Sequence, residues 1–200
     1  MRKKETITMH TKIRIPTATV IFFAVWIVIV PDITTILTAL AAAIHEIGHL
    51  AAAHALGVSI VSFTALPFGA DIHFGRVQNY REELITASAG AIANLAAAAL
   101  LLPFKNDHPW INFFICANTA LAAINMLPIK TLDGGGVLKS TLLMITDSDK
   151  AMKICRTVSS VFLFSMWIIS VYMLFSECSG FSLFALCCAV FLLCFSENDQ

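Results

Sequence analysis

Apolar residues in this chain run in long blocks separated by short polar links, rather than alternating or returning every third or fourth position. The blocks fall near residues 15–31, 33–57, 84–104, 109–128, 157–176 and 179–196. Each approaches the roughly 20 residues a helix needs to cross a bilayer, so the pattern predicts about six transmembrane helices. Residues 58–77 break it. Val58 to Leu66 is β-branched and alternating, Pro67-Phe68-Gly69-Ala70 carries turn chemistry, and Asp71 to Gly75 alternates again. That is the signature of a β-hairpin. Its apolar content places it dipping into the bilayer, where bare backbone is tolerated only beside protein or water. An unpaired edge around residues 60–65 would accept an extended peptide as an added strand. Residues 1–14 read as a basic cytoplasmic surface segment and 137–156 as a cytoplasmic connector with a short surface helix. The fold class is therefore an all-α membrane protein of about six transmembrane helices, with a membrane-associated β-hairpin after the second. It forms a single domain over 1–200 with its core at about 33–140, and shows no repeat and no appended soluble domain.

Composition supports this. Of the 200 residues, 58% are hydrophobic and 13% charged, against roughly 25% charged in soluble domains. Mean hydropathy is +0.81. The 13 basic and 13 acidic residues cancel, so no bulk attraction to nucleic acid is expected. With both termini cytoplasmic, 12 of the 13 basic residues face inward and only Lys105 faces outward, which satisfies the positive-inside rule. A signal peptide over 1–31 is disfavoured because no small-residue cleavage site follows the first block. The six cysteines (Cys116, Cys155, Cys178, Cys187, Cys188 and Cys194) include no Cys-x-x-Cys pair and read as small buried thiols at helix contacts.

The chemistry is concentrated in the second block. Between Ile33 and Ala70 the only ionisable side chains are His45, Glu46, His49 and His54. Ionisable groups at membrane depth are costly and mark function. Residues i and i+4 share a helix face, so His45 and His49 can hold one ion, with Glu46 beside them to take a proton from water. Solvation of these groups is unavailable at that depth, so a purely structural role would require them to pair with one another. A catalytic zinc site takes three protein ligands. His54 is turned to another side of the helix, Asp71 and His73 have no favouring spacing, and Glu82 and Glu83 sit at the surface. Asp133 is the best third ligand, a lone carboxylate held between Pro128 and the glycines Gly134 to Gly136. Residue 47 lies about 20 Å along its span at 1.5 Å per residue, leaving about 10 Å of a core roughly 30 Å thick. The fourth span runs the same way, and a modest return into the bilayer would bring Asp133 to the histidines. Asn94 and Asn125, as buried amides, are ordinarily interhelical hydrogen-bonding groups.

His45-Glu46-Ile47-Gly48-His49, together with Asn125-Met126-Leu127-Pro128 and Leu132-Asp133-Gly134, resembles the paired signatures of the site-2 proteases, a family of intramembrane zinc metalloproteases. Leu66-Pro67-Phe68-Gly69 and the six-span layout resemble the branch of the sporulation protease that processes a sigma-factor precursor. The resemblance implies one zinc ion per chain, with His45, His49 and Asp133 as ligands and Glu46 as general base. It implies that Gly90 and Asn94 help place substrate, that Phe68 plugs the site, and that Asn125 also lies in the substrate region. The chain departs from the third-span motif at Ala91, where proline is common, and shows no PDZ or nucleotide-binding CBS domain. The implied activity is hydrolysis of a peptide bond in or near a transmembrane segment of a membrane-associated protein, such as a sigma-factor precursor or anti-sigma factor. The setting is a bacterial cell membrane, where membrane regulators are possible partners and no nucleic acid takes part. A metal-binding transporter or sensor, or an inactive peptide-binding relative, would use the same histidines.

Overall fold

The computed structural model of the protein describes residues 12–29, 31–66 and 69–175. Phe68, the sixth predicted span and Cys178, Cys187, Cys188 and Cys194 lie outside the described residues. The elements in order are β1 (Lys12–Arg14), α1 (Thr17–Ile29), α2 (Ile33–Ala55), β2 (Ile60–Leu66) and β3 (Gly69–Phe74), then α3 (Tyr80–Leu101), α4 (Pro109–Asn125), α5 (Asp133–Ile145) and α6 (Ser148–Phe175). Among the described residues three helices are long and apolar enough to cross a membrane: α2, α3 with its 3-10 extension to Phe104, and α6 as far as Met173. α1 and α4, with 13 and 17 residues, coincide with predicted spans but are shorter. The protein is thus a mostly helical integral membrane protein with a β-hairpin between α2 and α3.

Local chemistry sets the helix ends. Asp32 caps α2, its carboxylate accepting from the Ile33 N–H at 2.6 Å and from Thr34 Oγ1 at 3.0 Å. Such a cap contributes about 1 kcal/mol. Gly57, with φ of 68°, turns the chain out of α2 through the left-handed region that glycine tolerates. Asn79 and Glu82 form a reciprocal capping box on α3, and Pro109 opens α4 where no backbone donor is needed. The connector with a short surface helix expected over 137–156 is occupied by α5 and the first turns of α6. α5 begins at Asp133 and α6 already starts at Ser148.

The hairpin forms as expected, with Phe63 opposite Ile72 and Thr64 opposite Asp71 in antiparallel register. Its edge differs from expectation. β1 pairs parallel with β2, Ile13 opposite Phe63, so residues 60–65 lie in the middle strand of a sheet ordered β1-β2-β3. A peptide added to this sheet must therefore join β3 or the outer side of β1.

α2, α3 and α4 pack against one another, α5 lies on α3, and α6 leans on α5. The helix contacts bury alanines, Ala41, Ala53, Ala91, Ala98 and Ala122 among them. Small residues let helices approach where lipid removes most hydrophobic drive for association. Asn94, fully buried, donates from Nδ2 to the Ala41 carbonyl at 3.3 Å and ties α3 to α2. A bond of this kind contributes about 0.6–2 kcal/mol in a membrane protein.

Candidate metal centre

The two histidines occupy successive turns of α2 and point into the molecule, with side chains only 7% and 9% exposed. Asp133 reaches them from the first turn of α5. Its Oδ2 lies 2.8 Å from His45 Nε2 and 3.2 Å from His49 Nε2. The two rings are edge-on, with centroids 4.8 Å apart. Two donors tetrahedrally disposed on one zinc at about 2.0–2.1 Å stand roughly 3.4 Å from each other, close to the two carboxylate–imidazole separations, and all three donor atoms lie within 4.8 Å of one another.

Hydrogen bonding fixes which ring atom of His49 faces the site. His49 Nδ1 lies 2.7 Å from the Thr86 carbonyl oxygen. A carbonyl only accepts, so Nδ1 carries the hydrogen, and the neutral ring presents a lone pair at Nε2. That lone pair faces a carboxylate oxygen 3.2 Å away. Two acceptors at this distance repel unless a proton or a metal cation is shared between them. An imidazole held by a carbonyl on its far nitrogen is the usual outer support of a metal-bound histidine. Gln78 Nε2 donates to the Thr86 hydroxyl at 3.2 Å and braces this carbonyl-bearing turn. His45 Nδ1 is buried without a protein partner. The donor set of two imidazoles and one carboxylate therefore fits zinc. With three protein ligands it leaves a coordination position open, the arrangement of a catalytic site.

Three features bring Asp133 here. α4 ends at Asn125, whose amide donates back to the Leu121 carbonyl at 3.0 Å within its own helix. The link 126–132 then folds over so that α5 runs from the site. Gly134 and Gly135 permit this fold. A Cβ on Gly134 would strike the Met126 and Leu127 carbonyls, and one on Gly135 the Ile129 carbonyl. Their backbone is ordinary helix, so these glycines serve close approach. From behind, Leu127, Ile129 and Leu132 pack on Leu163 and Met166 of α6. The Ser159 hydroxyl accepts the Lys130 N–H at 2.6 Å and donates to the Pro128 carbonyl at 3.2 Å. Asp133 is thus carried on a clamped link, and the helix N-terminus favours its charge.

Glu46 lies next to the pair, half-buried and within electrostatic range of His45, His49 and Asp133. The remaining candidates lie elsewhere. His54 is exposed near the end of α2, and His73 is exposed on β3, the strand that also carries Asp71. Glu82 is held by Arg76 through contacts of 2.7 and 2.8 Å, and Glu83 by Lys139 at 3.1 Å. Among the described residues only His45, His49 and Asp133 form a three-member group able to hold a metal.

From sequence, Gly90 and Asn94 are expected beside substrate. In the structure both lie in the α2–α3 contact. A Cβ on Gly90 would strike His49 Nε2 and come within 2.8 Å of His45 Nε2 and Cε1. Gly90 thus makes room for both imidazoles, one turn beyond the Thr86 carbonyl. Gly90→Ala is expected to displace the rings and weaken zinc binding by about 10–100-fold, the range for losing outer support of a ligand. Zinc titration of the purified variant checks this, and unchanged affinity would refute the seating role.

A model of Peptidase family M50 matches residues 104–169. That stretch includes Asn125–Pro128 and Asp133 but not the His-Glu-x-x-His motif, so His45, Glu46 and His49 rest on their own geometry. No curated protein matches the sequence. Among solved structures, the fold is similar to the site-2 protease from Methanocaldococcus jannaschii, with a TM-score of 0.68 and 21% identity over 92% of this chain and 89% of that one. The resemblance read from the two motifs thus recurs in a family model and in the fold.

Proposed function

We propose that this chain is an intramembrane zinc metalloprotease, hydrolysing a peptide bond in or beside a membrane segment of a protein substrate. The observation that carries the reading is the convergence of His45, His49 and Asp133, from two separate helices, with Glu46 alongside.

His45, His49 and Asp133 would hold the ion. When bound, zinc supplies Lewis-acid polarisation of the scissile carbonyl and makes a water more acidic, to a pKa of about 7. Glu46 would accept the proton of the attacking water as its oxygen joins the carbonyl carbon. It then returns the proton to the departing amide nitrogen as the C–N bond breaks. The 23% exposure that the Asp133 side chain keeps supports access of water to the site.

A membrane helix hides its carbonyls in its own hydrogen bonds, so the substrate must be extended before it is cut. The hairpin supplies a strand edge for this. With β1 covering one side of β2, the edge assigned to substrate is β3. Proline introduced singly at Ile72, His73 and Phe74 removes one ladder donor each time. Where the lost N–H points away from β2, cleavage is expected to fall while zinc content stays constant. Full cleavage by all three variants would remove β3 from the substrate path.

The substrate class is a membrane-anchored protein; a sigma-factor precursor or anti-sigma factor rests on motif resemblance alone. We place the protein in a bacterial cell membrane with both termini cytoplasmic, supported by the distribution of 12 of its 13 basic residues. Co-expression with a candidate membrane substrate, compared with Glu46→Gln, tests the proposal.

A further inference from the structure

We propose that Asn94 positions the zinc ligand His45 through one buried water that bridges His45 Nδ1 and Asn94 Oδ1. The inference rests on the reading of His45 as a metal ligand, and it assigns Asn94 to the metal centre rather than to substrate. Antiparallel packing of α2 on α3 brings the two side chains to neighbouring turns. The contacts run His49 with Thr86, His45 with Gly90 and Ala41 with Asn94. Asn94 donates from Nδ2 to the Ala41 carbonyl at 3.3 Å. A carbonyl only accepts, so this contact fixes which end of the amide is Oδ1. The same carbonyl accepts the His45 backbone N–H in the helix ladder, so the amide stands one turn, about 5.4 Å, from the histidine. Helix side chains lean toward the N-terminus, and the His45 ring therefore leans toward that turn.

The two atoms are complementary. Both are buried, and neither has a hydrogen-bond partner among the described residues. With His45 Nε2 turned to the metal position, 2.8 Å from Asp133 Oδ2, Nδ1 carries the ring hydrogen and needs an acceptor. Asn94 Oδ1 is an acceptor and nothing else. The pair does not meet directly, but two hydrogen bonds of about 2.8 Å through a water span about one helical turn. Buried waters settle between such otherwise unsatisfied polar groups. His49 is already supported at its far nitrogen by the Thr86 carbonyl. Asn94 gives His45 the matching outer support, so α3 holds both imidazoles. A residue that only tied the helices would use Nδ2 and leave His45 Nδ1 unanswered. A residue that contacted substrate would need an open face, whereas Asn94 is 0% exposed.

The test titrates zinc into the full chain in detergent, comparing wild type, Asn94→Leu and Asn94→Asp. Asn94→Leu keeps the volume, removes the acceptor and should weaken zinc binding about 10–100-fold, the range for losing outer support of a ligand. Asn94→Asp offers the same water a stronger acceptor, makes the imidazole more basic and should tighten binding about five-fold. A role confined to the helix tie or to substrate predicts no tightening. A second readout is NMR of the zinc-loaded chain labelled with 15N-histidine. In the wild type the His45 Nδ1–H should resist exchange and transfer magnetisation to a bound water. If Asn94→Leu does not fold by circular dichroism, Asn94→Asp and the wild-type signal decide. Unchanged affinity in folded Asn94→Leu, unchanged or weaker binding by Asn94→Asp, or a wild-type Nδ1–H with no water contact would overturn the proposal. Every readout is taken without substrate, so none depends on proteolysis. A wild type that takes up no zinc would defeat the metal reading as well, whereas a zinc-loaded wild type with indifferent variants defeats the role of Asn94 alone.

Discussion

Glu46→Gln is expected to lower cleavage of a membrane substrate by about 10²–10⁴-fold, the usual contribution of a positioned acid–base group, while one zinc ion per chain remains bound. The substitution is nearly isosteric and leaves His45, His49 and Asp133 in place, so the ion's protein ligands are all retained. What disappears is the group that accepts the proton of the attacking water and passes it to the departing nitrogen. The result separates the rival readings. A metal transporter or sensor needs only the ligands and would be indifferent to Glu46→Gln, while an inactive peptide-binding relative would show no cleavage in either form. The measurement pairs substrate turnover with metal content on the same preparation. Retained zinc with retained cleavage would remove Glu46 from the reaction.

Asp133→Ala is expected to abolish both stoichiometric zinc and cleavage. Oδ2 is the one oxygen facing both imidazoles, at 2.8 and 3.2 Å, and the only ligand not supplied by α2. Removing it leaves two neutral donors on one helix face, with no charge to balance a divalent ion. The loss of affinity should exceed the 10–100-fold seen when only an outer support is lost, and so exceed that of Gly90→Ala. Because the link 126–132 is clamped by Ile129, Leu163 and Ser159, the fold should survive. Circular dichroism of the variant, set beside its zinc isotherm, checks both points. Wild-type zinc affinity in Asp133→Ala would show that the third ligand lies elsewhere.

Much of this centre was legible in the chain, for physical reasons. His45 and His49 stand at i and i+4 in a span where ionisable groups are costly, so their pairing follows from helix geometry. Asp133 stood out as a lone carboxylate after Pro128 and before three glycines, and the structure brings it to the histidines. The hairpin followed from its alternation and turn residues. Other parts left no mark. The Thr86 carbonyl that orients His49 is a backbone atom, and backbone atoms have no sequence signature. Gly90 could be read from sequence only as a small residue of a substrate motif; that it seats both rings depends on where α3 crosses α2. A short helix is expected within 137–156, but its start at Asp133 left no mark because three consecutive glycines are poor helix formers. Packing of Gly134 and Gly135 on the 126–129 backbone overrides that preference. The three-residue β1 is too short to register, and its parallel pairing with β2 spans some fifty residues of sequence.

Zinc K-edge X-ray absorption on the purified, membrane-extracted chain, with metal content measured on the same sample, tests the central claim most directly. The account predicts one zinc per chain, with a first shell of two imidazole nitrogens and a carboxylate oxygen, and loss of that spectrum in Asp133→Ala. A wild-type preparation without stoichiometric zinc, or a first shell that does not change when Asp133 is removed, would contradict it.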